Sequence, residues 1–346
     1  MEVDRLRVPK KTTLSDVARR AGVSATTASY ILNGRSGEMR IALDTQERVR
    51  QAAADLHYRP NPSARSLRTA TTRTVGVITD FVAGGQFASQ MITGASAAAR
   101  RLDHVIVIGE SQGDRELESL LIEEMLDRRV DGIVYATLVT DEIRVPAALL
   151  QHRAVLLNCV DPVAGLAAVL PDELEGGRAA AQQVLLSGIR EEIYVVGGTP
   201  ARGGIAEALR LDGLRDALRA AGLRLTGILT CQWSVAPAYE AVDAWLAGGA
   251  RPQLVVCLND RIAMGTYQAL AEHGLRVPDD VSVVSFDGSE LARWLRPQLT
   301  SVAVPYGDLG ARAVEILLDS DAGGAGVVRV PMPVSSGESV RRAADV

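Results

Sequence analysis

Apolar positions recur at helical spacing through the first sixty residues and as short solid runs after Thr74, and this change of period divides the chain. Thr13-Leu14-Ser15-Asp16 offers an N-cap with an acid at the third helical position, and Val17, Ala18 and Ala21 follow on one face before Gly22 stops the helix. Ser24 then caps a second helix whose apolar stripe is Ala28, Ile31 and Leu32. Ala25, Thr26, Thr27, Ser29, Tyr30 and Asn33 are left for its other faces. Asp44-Thr45-Gln46-Glu47 reads as a capping box opening a third helix with Val49, Ala52, Ala53 and Leu56 inside. Three such helices close a small core, and the Gly-containing turn between the first two predicts a helix-turn-helix. The second helix is poor in long charged side chains and rich in short hydroxyls, which suits contact with base edges in a major groove.

Asn61-Pro62 can start one or two further turns after Tyr58-Arg59-Pro60, but about seven residues cannot hold a helix alone in water. The segment is therefore expected to order only when something packs on it. Leu67, between Ser66 and Arg68, then reads as an apolar wedge of the kind that kinks a minor groove, although a plain linker reads equally well.

From Thr74 onward, strand-like runs at 75–79, 105–109, 132–136, 155–159, 193–197, 226–231, 254–258 and 281–286 alternate with helical stretches at 86–102, 114–129, 174–187, 205–221 and 261–272. Apolar strands alternating with helices predict parallel sheets covered on both faces. The remaining length exceeds one such sheet, so two α/β subdomains with a cleft between them are expected, with a ligand at the carboxyl ends of strands.

Charge sharpens the division. Residues 1–73 carry 14 Lys and Arg against 7 Asp and Glu, net +7, whereas the other 273 residues carry 23 against 35, net −12. A basic arm on an acidic body fits nucleic-acid binding by one end. Runs such as Val105–Ile108 are too short to cross a bilayer, and the charged N-terminus lacks the apolar core of a signal peptide, so the cytoplasm is expected. Cys159, Cys231 and Cys257 fit neither a disulfide framework nor a metal-binding pair and read as buried free thiols. His57, His104, His152 and His273 share no motif, and phosphate-loop, nucleophile-elbow, dinucleotide and zinc-protease signatures are missing; Gly197-Gly198 and Gly203-Gly204 read as a flexible turn. Neither catalysis nor a cofactor or metal is implied.

Polar groups at three expected strand ends are more informative. Asn259-Asp260, Asp287 and Gln232-Trp233 follow the runs at 254–258, 281–286 and 226–231. Carboxylate and amide groups that bond hydroxyls, with an indole to stack on an apolar sugar face, make a carbohydrate pocket. Singly, Asn259-Asp260 could instead cap the next helix and Trp233 could be core.

Thr13-Leu14-Ser15-Asp16-Val17-Ala18, Gly22-Val23-Ser24, Thr27, Ser29, Leu32-Asn33 and Tyr58-Arg59-Pro60-Asn61 through Ala64-Arg65-Ser66-Leu67 resemble the lactose-repressor and galactose-repressor family of bacterial transcription regulators. The resemblance continues through Val75-Gly76-Val77-Ile78, Arg129-Val130-Asp131-Gly132-Ile133, Gly176-Gly177-Arg178, Asn259-Asp260 and Asp280 through Asp287. It implies a helix-turn-helix DNA-binding domain at 1–58, a hinge at 59–73 and, at 74–346, a periplasmic-binding-protein-like body that binds effector and dimerises. It also implies a homodimer whose second helices enter successive major grooves of a near-palindromic operator while paired hinges insert Leu67. Carried over by position, DNA contacts fall on Thr13, Leu14, Ser24, Ala25, Thr26, Thr27, Ser29, Tyr30, Asn33, Tyr58, Asn61, Ala64 and Leu67, and effector contacts on Phe87, Arg210, Trp233, Asn259 and Asp287. Three departures stand out: Tyr30 where the family often has Arg, Gly84-Gly85-Gln86 in place of an Asn-Pro-Phe stretch, and Ala136 where a polar effector ligand can occur. The expected function is a repressor controlled by a small ligand, a sugar or sugar derivative. A sugar-binding receptor without a gene-regulatory role is the alternative. No apolar heptads follow Val340, so a dimer is expected rather than a coiled-coil tetramer.

Overall fold

The computed structural model describes residues 12–37, 39–58, 71–81, 88–198, 204–319 and 326–343. The expected hinge helix, with Asn61, Ala64 and Leu67, lies outside the described residues, as do Phe87 and Gly84-Gly85-Gln86. The chain divides into two compact units, 1–72 and 73–346.

In the first unit, α1 (Leu14–Ala21), α2 (Ala25–Leu32) and α3 (Leu43–Asp55) pack around Val17, Ala18, Ala28, Ile31, Val49 and Ala52, all buried. Thr13 and Asp16 form the expected reciprocal capping box on α1, and Gly22 ends the helix in the left-handed conformation at φ 69°. Ser24 caps α2 by accepting from the Thr27 N–H. The capping box expected at Asp44 does not form. The helix starts two residues earlier behind Ala42, which gives no side-chain cap, and Asp44 lies in the first turn, 3.8 Å from Arg48. Gln46 turns inward instead, donating to the Ile41 carbonyl and accepting from Ser36, and so ties down the preceding loop.

The body holds two six-stranded sheets. β1 (Thr74–Thr79), β2 (Val105–Glu110), β3 (Gly132–Glu142), β4 (Ala154–Val160), β5 (Ala167–Pro171) and β11 (Val327–Val330) form an all-parallel sheet ordered β11-β5-β4-β3-β1-β2. β6 (Ile193–Gly198), β7 (Gly227–Thr230), β8 (Leu254–Cys257), β9 (Ser282–Asp287), β10 (Thr300–Ala303) and β12 (Val334–Ser335) form the second, ordered β12-β10-β9-β8-β6-β7, with only β12 antiparallel. Every residue of β8 and β9 is buried, as solid apolar runs require. β2 differs: Val105, Val107 and Ile108 are exposed on this edge strand.

Among the helices, α4 (Ala88–Arg101), α5 (Arg115–Asp127) and α11 (Tyr306–Leu318) serve the first sheet, and α6 (Glu173–Leu186), α7 (Ile205–Ala220), α8 (Val235–Ala247), α9 (Asp260–Glu272) and α10 (Glu290–Trp294) serve the second. The chain thus crosses between subdomains after β5, after β10 and after β11. β5, β10, β11 and β12 and helices α8, α10 and α11 are absent from the sequence reading; β8 is as short as β10 but was read from its solid apolar run, whereas β10 opens with Thr300 and Ser301 and β12 has two residues. Gly197 and Gly198 are not a flexible turn but the end of β6; a side chain at Gly197 would meet the Ile262 Cδ1 at 2.5 Å. Cys159 and Cys257 are buried, but Cys231 is half-buried; all three are free. No described helix is long and apolar enough to cross a membrane, and no described group of three or more His, Cys, Asp or Glu could hold a metal ion.

Candidate functional site

Two places gather the residues singled out above, one in each unit. On α2, Ala25 and Thr26 are exposed in the first turn, and Tyr30 follows one turn later, half-buried beneath the Arg35 guanidinium at 5.2 Å from the ring centre. The other polar groups of this face are engaged locally. Ser24 and Thr27 hydroxyls share a 2.9 Å hydrogen bond, and the Asn33 amide donates to the Ser29 carbonyl at 2.7 Å. Thr13 is exposed but holds the α1 cap, while Leu14 and Tyr58 pack against the small core. Thus Ala25, Thr26 and Tyr30 are the groups that α2 leaves for a partner, and their environment is set entirely by neighbours within one turn.

The second place is a cleft between the two subdomains. Leu138, Val139, Thr140 and Asn158 from β3 and β4 line one side, and Glu173, Ala206, Arg210, Trp233, Asn259, Arg261 and Asp287 line the other, with Val304 and Tyr306 beside the crossover. Four residues expected at the effector site, Arg210, Trp233, Asn259 and Asp287, are brought together here. Asp287 ends β9 and Asn259 follows β8, the carboxyl-end position expected for a ligand in parallel α/β folds. Both readings of Asn259 hold at once: its Oδ1 caps α9 by accepting from the Ile262 N–H at 2.8 Å, and its amide lines the cleft. The Trp233 indole N–H donates to the Gly197 carbonyl at 2.6 Å, fixing a half-buried ring. Ala136 is buried away from this cleft, in the apolar packing between α4 and the first sheet.

The electrostatic centre is a residue absent from the sequence expectations. Glu173, 1% exposed, receives both edges of the 3%-exposed Arg210 guanidinium, Nε at 2.6 Å and Nη2 at 3.0 Å. Arg210 Nη1 donates to the Leu258 carbonyl at 2.6 Å and stands 3.7 Å from Asp287. Burial opposes the charge of Arg210, but Glu173 overcomes it, and the pKa of Arg210 is raised. Asp287 is pushed up to about 8 by burial, against the pull of Arg210 and with the help of Asp260 and Glu173. The shift favours the protonated carboxyl, which can donate as well as accept.

The local chain geometry explains this pair. Helices α6 and α7 cross on glycine: a side chain at Gly177 would meet the Arg210 carbonyl at 2.3 Å, and one at Gly213 the Leu174 carbonyl at 2.0 Å. That contact brings the first turn of α6 against the second of α7, with Glu173 and Arg210 facing each other. Behind Asp287, Asp260 accepts from the Ser289 N–H and from the Ser289 and Ser301 hydroxyls, each within 2.8 Å, and holds the turn that presents Asp287 at φ 101°. Glu173 was legible only through the unread strand β5: it stands two residues past that strand's end, where the strand-end rule applied elsewhere would have found it.

Residues 13–61 match the model for bacterial regulatory proteins of the lacI family, and residues 168–340 match that for a periplasmic binding protein-like domain. The HTH-type transcriptional repressor PurR of Vibrio vulnificus strain CMCP6 is 32% identical over 312 residues, spanning 89% of this chain and 91% of that protein. A Lac repressor dimer bound to operator and the anti-inducer ONPF superposes with a TM-score of 0.81 at 26% identity, covering 96% of this chain and all of the other. A complex of the transcriptional regulator CelR with cellobiose superposes with a TM-score of 0.65 at 25% identity, covering 95% and 100%. These relatives are regulators rather than enzymes. With a helix-turn-helix match at one end, a ligand-binding body at the other and this extent of identity, the chain belongs to the lacI family of bacterial regulatory proteins, DNA-binding transcriptional repressors with a ligand-binding domain.

Proposed function

We propose that this chain is a cytoplasmic homodimeric repressor that releases or tightens its hold on a near-palindromic operator when a sugar or sugar derivative enters the cleft. Residues 1–58 read the operator through Ala25, Thr26 and Tyr30, with Thr13, Leu14, Ser24, Thr27, Ser29, Asn33 and Tyr58 shaping or flanking that surface. Residues 59–73, with Asn61, Ala64 and Leu67, are the hinge, and residues 74–346 bind effector and partner. The exposed apolar edge of β2 supports a second copy as the body's partner.

The observation that carries the effector class is the convergence of Asp287, Asn259 and Arg210 with the Trp233 ring on one cleft. A protonated carboxyl, an amide and a stacking indole match a ring bearing several hydroxyls, and the CelR complex with cellobiose supports the same class. A thermal-shift screen of sugars on the purified chain tests the reading, since a ligand at 100 times its dissociation constant stabilises by about 2.7 kcal/mol. A hit whose binding disappears in Asp287→Ala supports it. Unchanged affinity in that variant removes Asp287 from the site.

A further inference from the structure

The feature of the cleft that needs a role is Glu173. A buried arginine in a ligand cleft is ordinarily the docking point for a carboxylate or phosphate, because its planar fork accepts two oxygens at once. Here both oxygens already belong to the chain. Glu173 bonds Arg210 Nε and Nη2, the Leu258 carbonyl takes Nη1, and the rings of Phe286 and Trp233 flank the guanidinium at 4.7 and 5.6 Å. These bonds engage three of the five guanidinium N–H groups, and a ligand anion that took the Nε–Nη2 edge would have to displace Glu173 from a site where it is 1% exposed and leave that carboxylate without its partner.

The pair is also held from behind. The one hydroxyl hydrogen of Thr140, on the opposite wall, is shared between Asn158 Oδ1 at 2.7 Å and Glu173 at 3.3 Å, and the glycine crossing of α6 and α7 fixes the spacing of the two helices. Arg261, the other cation of the lining, is exposed to water and so offers no desolvated anchor.

We propose that Glu173 determines the ligand class of the cleft: by occupying the Arg210 fork it admits neutral polyhydroxyl ligands and turns away those bearing a carboxylate or phosphate. The proposal rests on the reading of the cleft as the effector site and adds to it the exclusion of anions and the residue responsible. Glu173 acts through Arg210 and is a positioning residue rather than a contact of its own.

Two measurements on the full chain test it. In the first, the melting temperatures of wild type, Glu173→Ala and Glu173→Gln are followed against sodium acetate, with potassium chloride at matched ionic strength as reference. Acetate should stabilise Glu173→Ala, whose Arg210 fork is open, at concentrations at least ten times lower than any specific effect on wild type. Glu173→Gln, whose amide still fills the fork, should show no such rescue, and the absence of rescue in a folded Glu173→Ala overturns the proposal. If Glu173→Ala does not fold, Glu173→Ser, which also opens the fork, carries the same comparison.

In the second, calorimetry compares matched pairs, glucose with gluconate and ribose with ribose 5-phosphate. Wild type should favour a neutral member over its anion at least tenfold, and Glu173→Ala should shrink or reverse that ratio. An unchanged ratio overturns the role of Glu173 and leaves the sugar reading intact. A wild type that prefers the anions overturns the exclusion. Acetate rescue with no sugar bound by wild type would remove the sugar reading while the exclusion of anions stands.

Discussion

The surface of α2 proposed to read the operator and the cleft of the body are built by opposite means. On α2 the groups left for a partner lie within six residues of one another, are exposed or half-exposed, and depend on hydrogen bonds no longer than a helical turn, such as Ser24 with Thr27 and Ser29 with Asn33. In the cleft, Glu173, Arg210, Asn259 and Asp287 come from four elements and all are buried, with Glu173 and Asp287 both facing Arg210 and Asn259 fixed by the Ile262 N–H. A surface of the first kind can change its specificity without disturbing the fold. In the second, ligand recognition and stability share the same atoms, so a substitution moves both.

The largest expected effect follows from the buried ion pair. Arg210→Ala should lower stability by about 3–5 kcal/mol, because it strands Glu173 without a partner. Urea unfolding monitored by circular dichroism measures this, and a loss under 1 kcal/mol would mean the cleft tolerates change as α2 does.

Gly213→Ala comes next. A Cβ there lies 2.0 Å from the Leu174 carbonyl, so α6 and α7 must separate, at about 1–3 kcal/mol by the same assay. Equal loss of acetate rescue in a Glu173→Ala background would show that helix spacing also sets the fork.

Asp287 gives the comparison a pH dependence. Its folded pKa, about 8, lies above the unfolded value near 4, so from pH 4 to 8 the folded state holds a proton that the unfolded state has lost. Its contribution is complete below about pH 4 and declines as pH rises toward 8, at no more than about 1.4 kcal/mol per pH unit. Asp287→Asn should flatten that part of the stability profile. A profile identical to wild type would place the carboxylate in its ordinary range.

On the helix-turn-helix side the effects on stability are smaller. Thr13→Ala removes the α1 cap and should cost about 1 kcal/mol. Thr26→Ala, at an exposed position, should change stability by less than about 0.5 kcal/mol while weakening operator binding by about 1–3 kcal/mol. Fluorescence anisotropy on operator and random DNA separates the two: a loss equal on both makes Thr26 a phosphate-side neighbour rather than a base contact.

The same contrast explains how much of the molecule was legible. The caps at Thr13 and Ser24, the stop at Gly22 and the inner faces of all three helices are readable because the physics that sets them is local. Even there the start of α3 escaped, since Gln46 answers to Ser36 and Ile41 rather than to the helix end. In the body, the buried strands with solid apolar runs were legible, even β8 at four residues, whereas β10 is half polar at Thr300 and Ser301 and β12 is two residues long. Asp287, Asn259 and Trp233 were found as polar residues at strand ends. Arg210 lies inside α7 and came only through resemblance, and Glu173 at the first position of α6 was hidden because the strand before it had gone unread. Partnership across 37 residues has no signature in spacing; it depends on two glycines that let the helices touch.

The claim that joins the two regions is that the cleft controls the DNA-reading unit. Operator affinity measured with and without the sugar identified by the thermal screen, in wild type and in Asp287→Ala, tests it most directly. The account predicts a 5- to 150-fold shift in wild type, the range of about 1–3 kcal/mol of coupling, and a ratio near one in the variant. The same shift in both proteins would contradict it.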